Sequence, residues 1–507
     1  MQTIKRMMLI PFIFIFGIHV QAQKVTQHPN ESLDLKQKWS WAEEQSLNRQ
    51  FKNGYWIGYS IEKMMCRNSY TGTICDKWEK APSLSKIIYG KKADDETPTL
   101  TDGEIIRRAA KDALADIEHD NEQEEKIVKE VAILFRFGRN GALVDMKFSN
   151  LSLHVDLEEK PLIWLGKSKD GPSVDLLRGL YKKTDDSEIQ GHIVAAVGIH
   201  KPSLEAFTFL KNVVNSRVNQ DVREDAVFWM GQQEYKDALP FLVKIVNTEP
   251  SNDMREKAVF SISQMDTPKA TDELIVIAKK NSRNDVREKA IFWLGQRDEV
   301  KALAFLKEMI KTEKSSDIRD KIVFAISQMD VPGATEELSR LALKGEYSDV
   351  REKAVFWLGQ RDDPKALKTL KQIVANDPSS DVRENAVFAI SQMDRSEALN
   401  VLIDLAYDAK DTEVQKKAIF WLGQKASDKA AETLEDVTYK GNDLEIQEQA
   451  VFALSQLPAD QGVPKLIKVS QEHPSSKIRK KAIFWLGQSG DPRAVDALVK
   501  IVKKTNE

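Results

Sequence analysis

The residues best placed for chemistry in this sequence are a phenylalanine and a glutamine that recur together. A Phe stands at intervals of 32 residues, and a Gln follows each Phe four positions later. Neither side chain ionises, so each pair offers an apolar ring and an amide that donates and accepts hydrogen bonds. That combination suits the recognition of a partner. The nine pairs are Phe228 and Gln232, Phe260 and Gln264, Phe292 and Gln296, Phe324 and Gln328, Phe356 and Gln360, Phe388 and Gln392, Phe420 and Gln424, Phe452 and Gln456, and Phe484 and Gln488.

Residues for metal or hydrolytic chemistry are scarce. The seven His include no His-Glu dipeptide, and two Cys cannot supply a four-ligand zinc site. Gly166-Lys167-Ser168 ends like a phosphate-binding loop, but Pro161 stands where that motif requires Gly. Residues 58–62, Gly-Tyr-Ser-Ile-Glu, lack the second Gly of a nucleophile elbow. The sequence therefore predicts no catalytic residue, no metal and no cofactor.

Composition bounds the class of partner. The chain has 507 residues, 30% of them charged, and a formal net charge of −3. This balance gives no general electrostatic reason to expect a nucleic-acid partner. Length alone would predict about three globular domains, but the repeat replaces that estimate with one small domain followed by an array.

Each 32-residue unit predicts two short helices. The second begins with Asp-Val-Arg-Glu, as at residues 285–288, where we expect Asp285 as N-cap and Glu288 to complete a capping box. The first helix carries an apolar stripe, as in Ala302, Leu306 and Ile310. Because two such helices cannot bury their apolar faces alone, the units must stack into an α-solenoid of about ten repeats.

The repeats alternate in type, with a super-period of 64 residues. Trp follows the Phe in every other repeat, and Ser or Ala takes its place in the rest. Interlocking layers require large residues next to small ones. We therefore predict that the Trp side chains belong to the core, with a stacking platform for a ligand as the alternative. These residues are Trp229, Trp293, Trp357, Trp421 and Trp485.

The pattern Val-Arg-x-x-Ala-x-x-x-Leu-Gly of residues 286–295 resembles HEAT repeats of the short phycobilisome-lyase-like type, the PBS lyase HEAT-like repeat. The resemblance covers about residues 172–507. It implies a mainly α fold, a HEAT/armadillo-like α-solenoid, and a non-enzymatic scaffold for protein–protein interaction. The lyase branch of the family acts on bilin chromophores in the cytoplasm. An exported protein would not meet these chromophores, and the alternative function is a lyase-like activity in the groove or unknown chemistry in the N-terminal domain.

Helical geometry predicts where the Phe and Gln side chains point. Phe292 falls about 150° from the mean direction of Ala290, Trp293 and Leu294, and Gln296 lies beside Phe292 one turn later. In the family, second helices line the concave face. The resemblance thus implies a Phe/Gln surface that binds a protein or an extended peptide there. The alternative is that the Phe rings wedge between adjacent second helices, as in an array that is only a structural spacer.

The N-terminus predicts export. Lys5 and Arg6 precede an apolar stretch over residues 7–20, and Val20-Gln21-Ala22 resembles a cleavage site. The apolar stretch is shorter than the ~20 residues that span a bilayer, so we expect a cleaved signal peptide at residues 1–22 rather than a membrane anchor. The predicted location is periplasmic or secreted.

Residues 23–170 lack the repeat and predict a small α+β domain with hairpins. Strands are expected at residues 55–63 and 126–137, a turn at Arg139-Asn140-Gly141, and a helix at residues 103–120. Residues 161–169 are expected to join this domain to the array. In an oxidising compartment, Cys66 and Cys75 are predicted to form a disulfide that clamps a hairpin. The expected core is rich in Trp: Trp39, Trp41, Trp56 and Trp78.

Residues 171–507 form the predicted solenoid, which ends in a lone capping helix. The Asp-x-Arg sequence at the start of the second helices, from Asp221 and Arg223 to Asp381 and Arg383, predicts a ladder of caps and ion pairs between repeats. Residues 462–507 hold ten Lys or Arg and four Asp or Glu. This basic end is a solvated cap or a weak contact for an acidic surface. No other partner follows from the sequence.

Overall fold

The computed structural model of the protein describes residues 24–66, 83–89, 126–153, 155–361 and 363–505. These residues belong to two compact units, Met1–Met265 and Asp266–Glu507. The first unit holds a sheet and several helices, and the second holds helices. The predicted signal peptide, Trp78, Cys75 and the predicted helix at residues 103–120 lie outside the described residues.

The sheet of the first unit has five strands in the order β1-β5-β2-β3-β4. Strands β2, β3 and β4 form an antiparallel meander. The predicted turn between β3 and β4 is present, with Gly141 at φ +72°, a backbone region open to Gly. The strands are β1 (Val25–Gln27), β2 (Tyr55–Cys66), β3 (Lys126–Phe137), β4 (Leu143–Asn150) and β5 (Leu162–Lys167).

Strand β5 corrects the expectation that residues 161–169 are only a joining segment. It pairs in parallel with β1 on one side and β2 on the other. Its residues Leu162, Ile163, Trp164 and Leu165 are all buried. A strand covered on both faces is apolar throughout and shows no alternation. Its short apolar run was therefore hard to recognise as a strand.

Two helices cover the sheet, one on each face. Leu84 and Ile88 of α2 (Leu84–Tyr89) join a core cluster that includes Trp56 and Trp164. On the other face, Trp39 of α1 (Leu35–Ser46) lies edge-on to Phe135, with the ring centroids 5.2 Å apart. Of the four Trp predicted in this core, Trp39 and Trp56 are buried and Trp41 is partly exposed.

The rest of both units consists of helix pairs. In the first unit the helices are α3 (Asp170–Tyr181), α4 (Ser187–Gly198), α5 (Leu204–Val214), α6 (Gln220–Gln233), α7 (Ala238–Thr248) and α8 (Asn252–Ser263). In the second unit they are α9 (Pro268–Lys280), α10 (Asn284–Gln296), α11 (Val300–Met309), α12 (Ser316–Gln328), α13 (Ala334–Lys344), α14 (Ser348–Gly359), α15 (Pro364–Asn376), α16 (Ser380–Gln392), α17 (Ser396–Asp408), α18 (Thr412–Gly423), α19 (Asp428–Lys440), α20 (Leu444–Gln456), α21 (Ala459–Glu472), α22 (Ser476–Gln488) and α23 (Pro492–Thr505). Within the described residues, no helix combines the length and the apolar character needed to cross a membrane.

The N-caps of the second helices lie two residues earlier than predicted, so the expected capping box at Asp285 is wrong. Helix α10 starts at Asn284, which places Asp285 in the first turn. There its carboxylate still interacts favourably with the helix dipole. In α12 the cap is Ser315, whose hydroxyl accepts a hydrogen bond from the backbone N–H of Ile318 at 3.4 Å.

Arginines at the start of the second helices link neighbouring repeats, which confirms the predicted ion pairs. Arg383 donates to the backbone carbonyl of Asp377 at 2.7 Å, and its Nε lies 3.1 Å from the Asp411 carboxylate of the next repeat. The guanidinium of Arg383 lowers the pKa of Asp411. In α18, Gln415 donates to the carbonyl of Ala406 at 2.9 Å, so a neutral side chain keeps the bond to the preceding helix.

Glycines set the distance between adjacent second helices. A Cβ atom added at Gly359 of α14 would lie 2.7 Å from the Cβ and 2.8 Å from the Cα of Ala389 in α16. Gly295 and Gly423 face Ala325 and Ala453 in the same way. The Gly of a Trp-type repeat thus lies against the Ala that replaces Trp in the next repeat. This contact explains the alternation of repeat types as a matter of close packing.

A buried hydrogen-bond network connects the sheet with the first helix pair. Ser173 of α3 lies 2.7 Å from the hydroxyl of Tyr59 in β2 and 2.8 Å from Nε2 of His200, which follows α4. The other ring nitrogen of His200 lies 2.6 Å from the carbonyl oxygen of Ala196. All three side chains of the network are buried. Burial lowers the pKa of His200 and raises that of Tyr59.

The close contact at Gly359 predicts a stability effect with an internal control. Gly359→Ala should lower the free energy of unfolding by about 1–3 kcal/mol, because backbone atoms of Ala389 obstruct the new methyl group. Gly487→Ala should stabilise by up to ~1 kcal/mol, since nothing lies within 4 Å and Ala favours helix. Urea unfolding followed by circular dichroism measures both changes. Equal midpoint shifts for the two variants would contradict the packing argument.

The buried His200 predicts a loss of stability in mild acid. Below the ordinary pKa of 6.5 the unfolded chain binds a proton that folded His200 resists, so the free energy of unfolding falls as the pH drops through 6.5. Between pH 6.5 and 5 this group contributes up to ~2 kcal/mol. His200→Gln should flatten the decline in urea midpoint over that range, whereas Tyr59→Phe, which keeps the imidazole, should preserve it. An unchanged decline in His200→Gln would show that other groups cause the acid sensitivity.

Candidate functional site

The nine repeated Phe side chains lie at the surface of the second helices. Each ring is half-buried or exposed, and none belongs to the core. Phe356 and Phe484 are 41% and 55% exposed. On the opposite side of α10, Val286, Ala290 and Leu294 are fully buried. The Phe positions therefore face away from the core, in the direction that the helical wheel predicts.

The Trp residues correct the expectation that they form the core, because all five are only half-buried. Each Trp lies edge-on to the Phe before it, as in Phe292 and Trp293, with ring centroids 4.9 Å apart. The small residues at the close helix contacts, such as Gly295 and Ala325, leave no space for an indole there. The Trp rings lie beside the Phe rings.

Rings of successive repeats also contact each other. Phe292 and Phe324 stack with centroids 6.0 Å apart and an interplanar angle of 10°. At the next junction Phe324 meets Trp357 at 5.2 Å. The same alternation recurs at Phe420 and Phe452, stacked at 6.3 Å, and at Phe452 and Trp485, 5.2 Å apart. In the first unit, Phe228 stacks on Phe260 at 6.0 Å. We call the nine Phe and five Trp residues the aromatic ladder.

The Gln side chains beside the ladder fall into two groups. In the Ala-type and Ser-type repeats the amide nitrogen donates to a neighbouring Ser hydroxyl at 3.0–3.2 Å. That Ser in turn donates to the backbone carbonyl of the Phe, as Ser391 does to Phe388 at 2.7 Å. In the Trp-type repeats a Gly occupies the Ser position, and the Gln amides at 232, 360, 424 and 488 are exposed. These exposed amides offer both a donor and an acceptor beside an aromatic ring.

Ion pairs between repeats border the ladder at the start of the second helices. Glu384 lies four residues before Phe388 on the same helix face, and its carboxylate is 3.2 Å from Lys417 of the next repeat. Asp320 and Lys353 form the equivalent pair at 3.2 Å. The border thus carries charges of both signs, whereas the ladder itself carries no ionisable group.

The residues of the other sequence motifs form hydrogen bonds and ion pairs within the fold. Lys167, of the loop-like Gly-Lys-Ser motif, ends β5 and lies 2.9 Å from Glu62 and 3.0 Å from Glu130. These carboxylates raise its pKa. Ser60, of the elbow-like motif, is buried within β2 and donates to Glu130 at 2.7 Å. The side chains of Lys167 and Ser60 are therefore both engaged by carboxylates. Neither is placed to bind a phosphate group or to attack a scissile carbonyl.

The Ser173–His200 contact has the distance of a nucleophile and its base but not the surroundings of an active site. Both side chains are buried, and Ser173 is also engaged by Tyr59. The imidazole is oriented by a backbone carbonyl, where a catalytic triad has a carboxylate. In the described part of the chain, no three His, Cys, Asp or Glu side chains form a cluster that could hold a metal ion.

The predicted disulfide stays a prediction. Cys66 is the last residue of β2, and Cys75 lies outside the described residues. Sequence reasoning favoured the core for the Trp rings of the ladder, and it missed the difference between the two groups of Gln. This difference could have been inferred from the sequence, because Ser or Gly precedes the Gln in strict alternation.

Comparison with known proteins identifies the repeat. The profile described as HEAT repeats matches residues 207–290, 271–356 and 335–420. The profile of the PBS lyase HEAT-like repeat matches residues 478–504. No curated protein matches the chain.

Several solved structures resemble the chain distantly. Human deoxyhypusine hydroxylase in complex with glycerol is 15% identical, with a TM-score of 0.23 over 51% of this chain and 96% of its own. The Escherichia coli protein YibA is 20% identical, with a TM-score of 0.29 over 52% and 94% of the two chains. Kap121p bound to Pho4p is 11% identical, with a TM-score of 0.37 over 63% and 39%.

The matched profiles agree with the helix pairs described above. The fold is mainly α: an α-solenoid preceded by a small region that contains the five-stranded sheet. The helix pairs of residues 207–420 match HEAT repeats, and the repeat at residues 478–504 matches the PBS lyase HEAT-like type.

Proposed function

We propose that this protein is a non-enzymatic scaffold that binds a protein partner, through an extended peptide segment, along the aromatic ladder. The observation that carries the proposal is the half-exposed position of all nine Phe rings. HEAT repeats commonly serve protein interaction, and exposed aromatic surfaces of this extent usually mark binding sites.

The chemistry of the ladder favours a peptide as the ligand. Aromatic rings provide apolar contact for side chains, and the exposed Gln amides at 360 and 424, both in the second unit, can pair with the C=O and N–H groups of an extended backbone. The spacing of these amides follows the repeat, so a peptide would meet equivalent contacts along its length. We place this surface on the concave face of the solenoid, where the family carries its second helices.

The competing hypothesis is an enzyme or an enzyme accessory, with lyase-like chemistry in the groove or unknown chemistry in the N-terminal region. Catalysis requires ionisable or nucleophilic groups positioned around a substrate. The ladder offers rings and amides, and the Ser173–His200 pair is enclosed. Both observations favour binding.

We further propose that the protein acts outside the cytoplasm. The signal-like sequence of residues 1–22 supports this, with its basic start, apolar stretch and small residue at Ala22. An exported location also gives the predicted Cys66–Cys75 disulfide an oxidising environment.

Replacing ladder rings should weaken peptide binding without unfolding the protein. Phe292→Ala, Phe324→Ala and Phe356→Ala together remove three half-exposed or exposed rings of the second unit. Peptides selected from a random phage-displayed library against the mature wild-type chain serve as probes. We expect the triple variant to bind them at least ~10-fold more weakly, since buried aromatic contacts at interfaces contribute about 1–2 kcal/mol or more each. Fluorescence anisotropy measures the affinity, and circular dichroism checks the helix content.

The matched control replaces exposed apolar residues on first helices of the same unit: Val276→Ala, Val300→Ala and Leu343→Ala. Binding should be unaffected there. A finer comparison uses two single variants. Gln360→Ala removes an exposed amide, and Gln392→Ala removes an amide that is hydrogen-bonded to Ser391. The first should weaken binding more. Equal loss in the ladder and control triples, or no loss in either, would exclude the ladder as the binding surface.

If the protein is exported, its signal peptide should be cleaved. Expressed in its source cells, the mature chain should begin at Gln23 and fractionate outside the cytoplasm, because the apolar stretch directs secretion and Ala22 permits cleavage. Its intact mass should be lower by two hydrogens if Cys66 and Cys75 are joined. Phe14→Arg, which interrupts the apolar stretch, should leave the full-length chain in the cytoplasm. A wild-type chain that keeps its N-terminal Met would contradict the signal-peptide assignment.

A further inference from the structure

A cleft of about 390 Å³ lies between the first helices α15 and α17 of the second unit. Small-molecule sites usually have volumes of ~300–1,000 Å³. Leu367, which is only 7% exposed, and Pro364 supply apolar surface, and the side-chain stems of two lysines extend it. The residues that line the cleft include Pro364, Leu367, Lys368 and Lys371 of α15, and Arg395 and Glu397 at the start of α17.

An ion pair that joins the neighbouring first helices is missing at the cleft. Between α13 and α15, Glu336 forms an ion pair with Lys365. The residues 32 positions later are Lys368 and Glu397, which face each other between α15 and α17. Their charges are opposite, yet Lys368 forms no ion pair within the part of the chain that the structure describes. The cleft occupies the place of this pair.

A second bond between first helices is missing for a plainer reason. The hydroxyl oxygen of Thr369 in α15 lies 3.0 Å from that of Ser339 in α13. The residues 32 positions later are Lys371 and Val401. Because Val has no polar atom in its side chain, the equivalent hydrogen bond between α15 and α17 cannot form. Neither of the two side-chain bonds between α13 and α15 therefore closes the cleft.

The charges around the cleft are unbalanced. The Glu397 carboxylate lies 3.8 Å from Nε of Arg395 and accepts a hydrogen bond from the Ser396 hydroxyl at 3.2 Å, so it is already engaged on the α17 side. Lys368 and Lys371 are exposed, one turn apart on the same face of α15. Neither forms a hydrogen bond or an ion pair within the described residues. The cleft thus presents two ammonium groups that no carboxylate neutralises, beside an apolar surface.

We propose that this cleft binds a small amphiphilic anion, a carboxylic acid with an apolar chain. The ligand's carboxylate accepts charge-assisted hydrogen bonds from Lys368 and Lys371. Its chain lies on Leu367, Pro364 and the lysine stems, where it is removed from water. The site belongs to first helices, whereas the aromatic ladder belongs to second helices, so the two binding roles are independent.

Isothermal titration calorimetry of the full chain with octanoate, below its micelle-forming concentration, tests the proposal. We expect saturable binding at one site. Acetate lacks the chain and octanol lacks the charge, so each should bind about tenfold more weakly than octanoate. Lys368→Met and Lys371→Met together keep the stems and remove both charges, and should lower the affinity for octanoate by about tenfold. Glu397→Gln removes a negative charge near the ligand and should raise the affinity by about twofold.

Control variants separate this cleft from other sites. Lys279→Met and Lys280→Met, at two exposed lysines of α9, change the net charge equally and should leave the affinity for octanoate unchanged. The triple variant at Phe292, Phe324 and Phe356 should also leave it unchanged. Circular dichroism checks that every variant keeps its helix content. No binding of octanoate, equal binding of acetate or octanol, or full affinity after both cleft lysines are replaced would overturn the proposal. Weaker binding on removal of the α17 carboxylate would do the same.

Discussion

The structure of the helical array depends on one constraint: a pair of short helices cannot bury its apolar face without a neighbour. Every repeat therefore needs a contact surface that fits the next. Here the two helices meet largely through backbone atoms. Gly359 has no side chain, and Ala389 contributes only one methyl group to the contact. Such a contact tolerates no enlargement, which accounts for the strict alternation of repeat types along the sequence.

The same constraint accounts for the aromatic ladder. The indole and phenyl rings that the repeat also encodes lie to one side of the Gly–Ala contacts. They pack on each other, edge-on within a repeat and alternately stacked or tilted between repeats. Contacts among the rings bury part of each face and leave the rest open. A surface that is ordered by its own packing and still half-exposed loses little conformational freedom when a ligand binds.

Much of this could be predicted from the sequence. The period, the helix pairs and the direction of Phe292 follow from spacing alone. The face of a helix on which a residue lies is set by its angle around the helix axis, which the spacing gives. The position of Trp293 could not be obtained in that way. Its wheel angle places it near the core, whereas in the structure its ring is half-buried and lies edge-on to Phe292. Strand β5 was missed for a related reason, since a fully covered strand lacks the alternation by which strands are recognised.

Because the repeats are equivalent, the exposure of each residue can be compared with that of its counterparts in the other repeats. A half-exposed Phe is ordinary in this chain because nine equivalent positions share it. The ladder is thus a property of the repeat and extends wherever the repeat does.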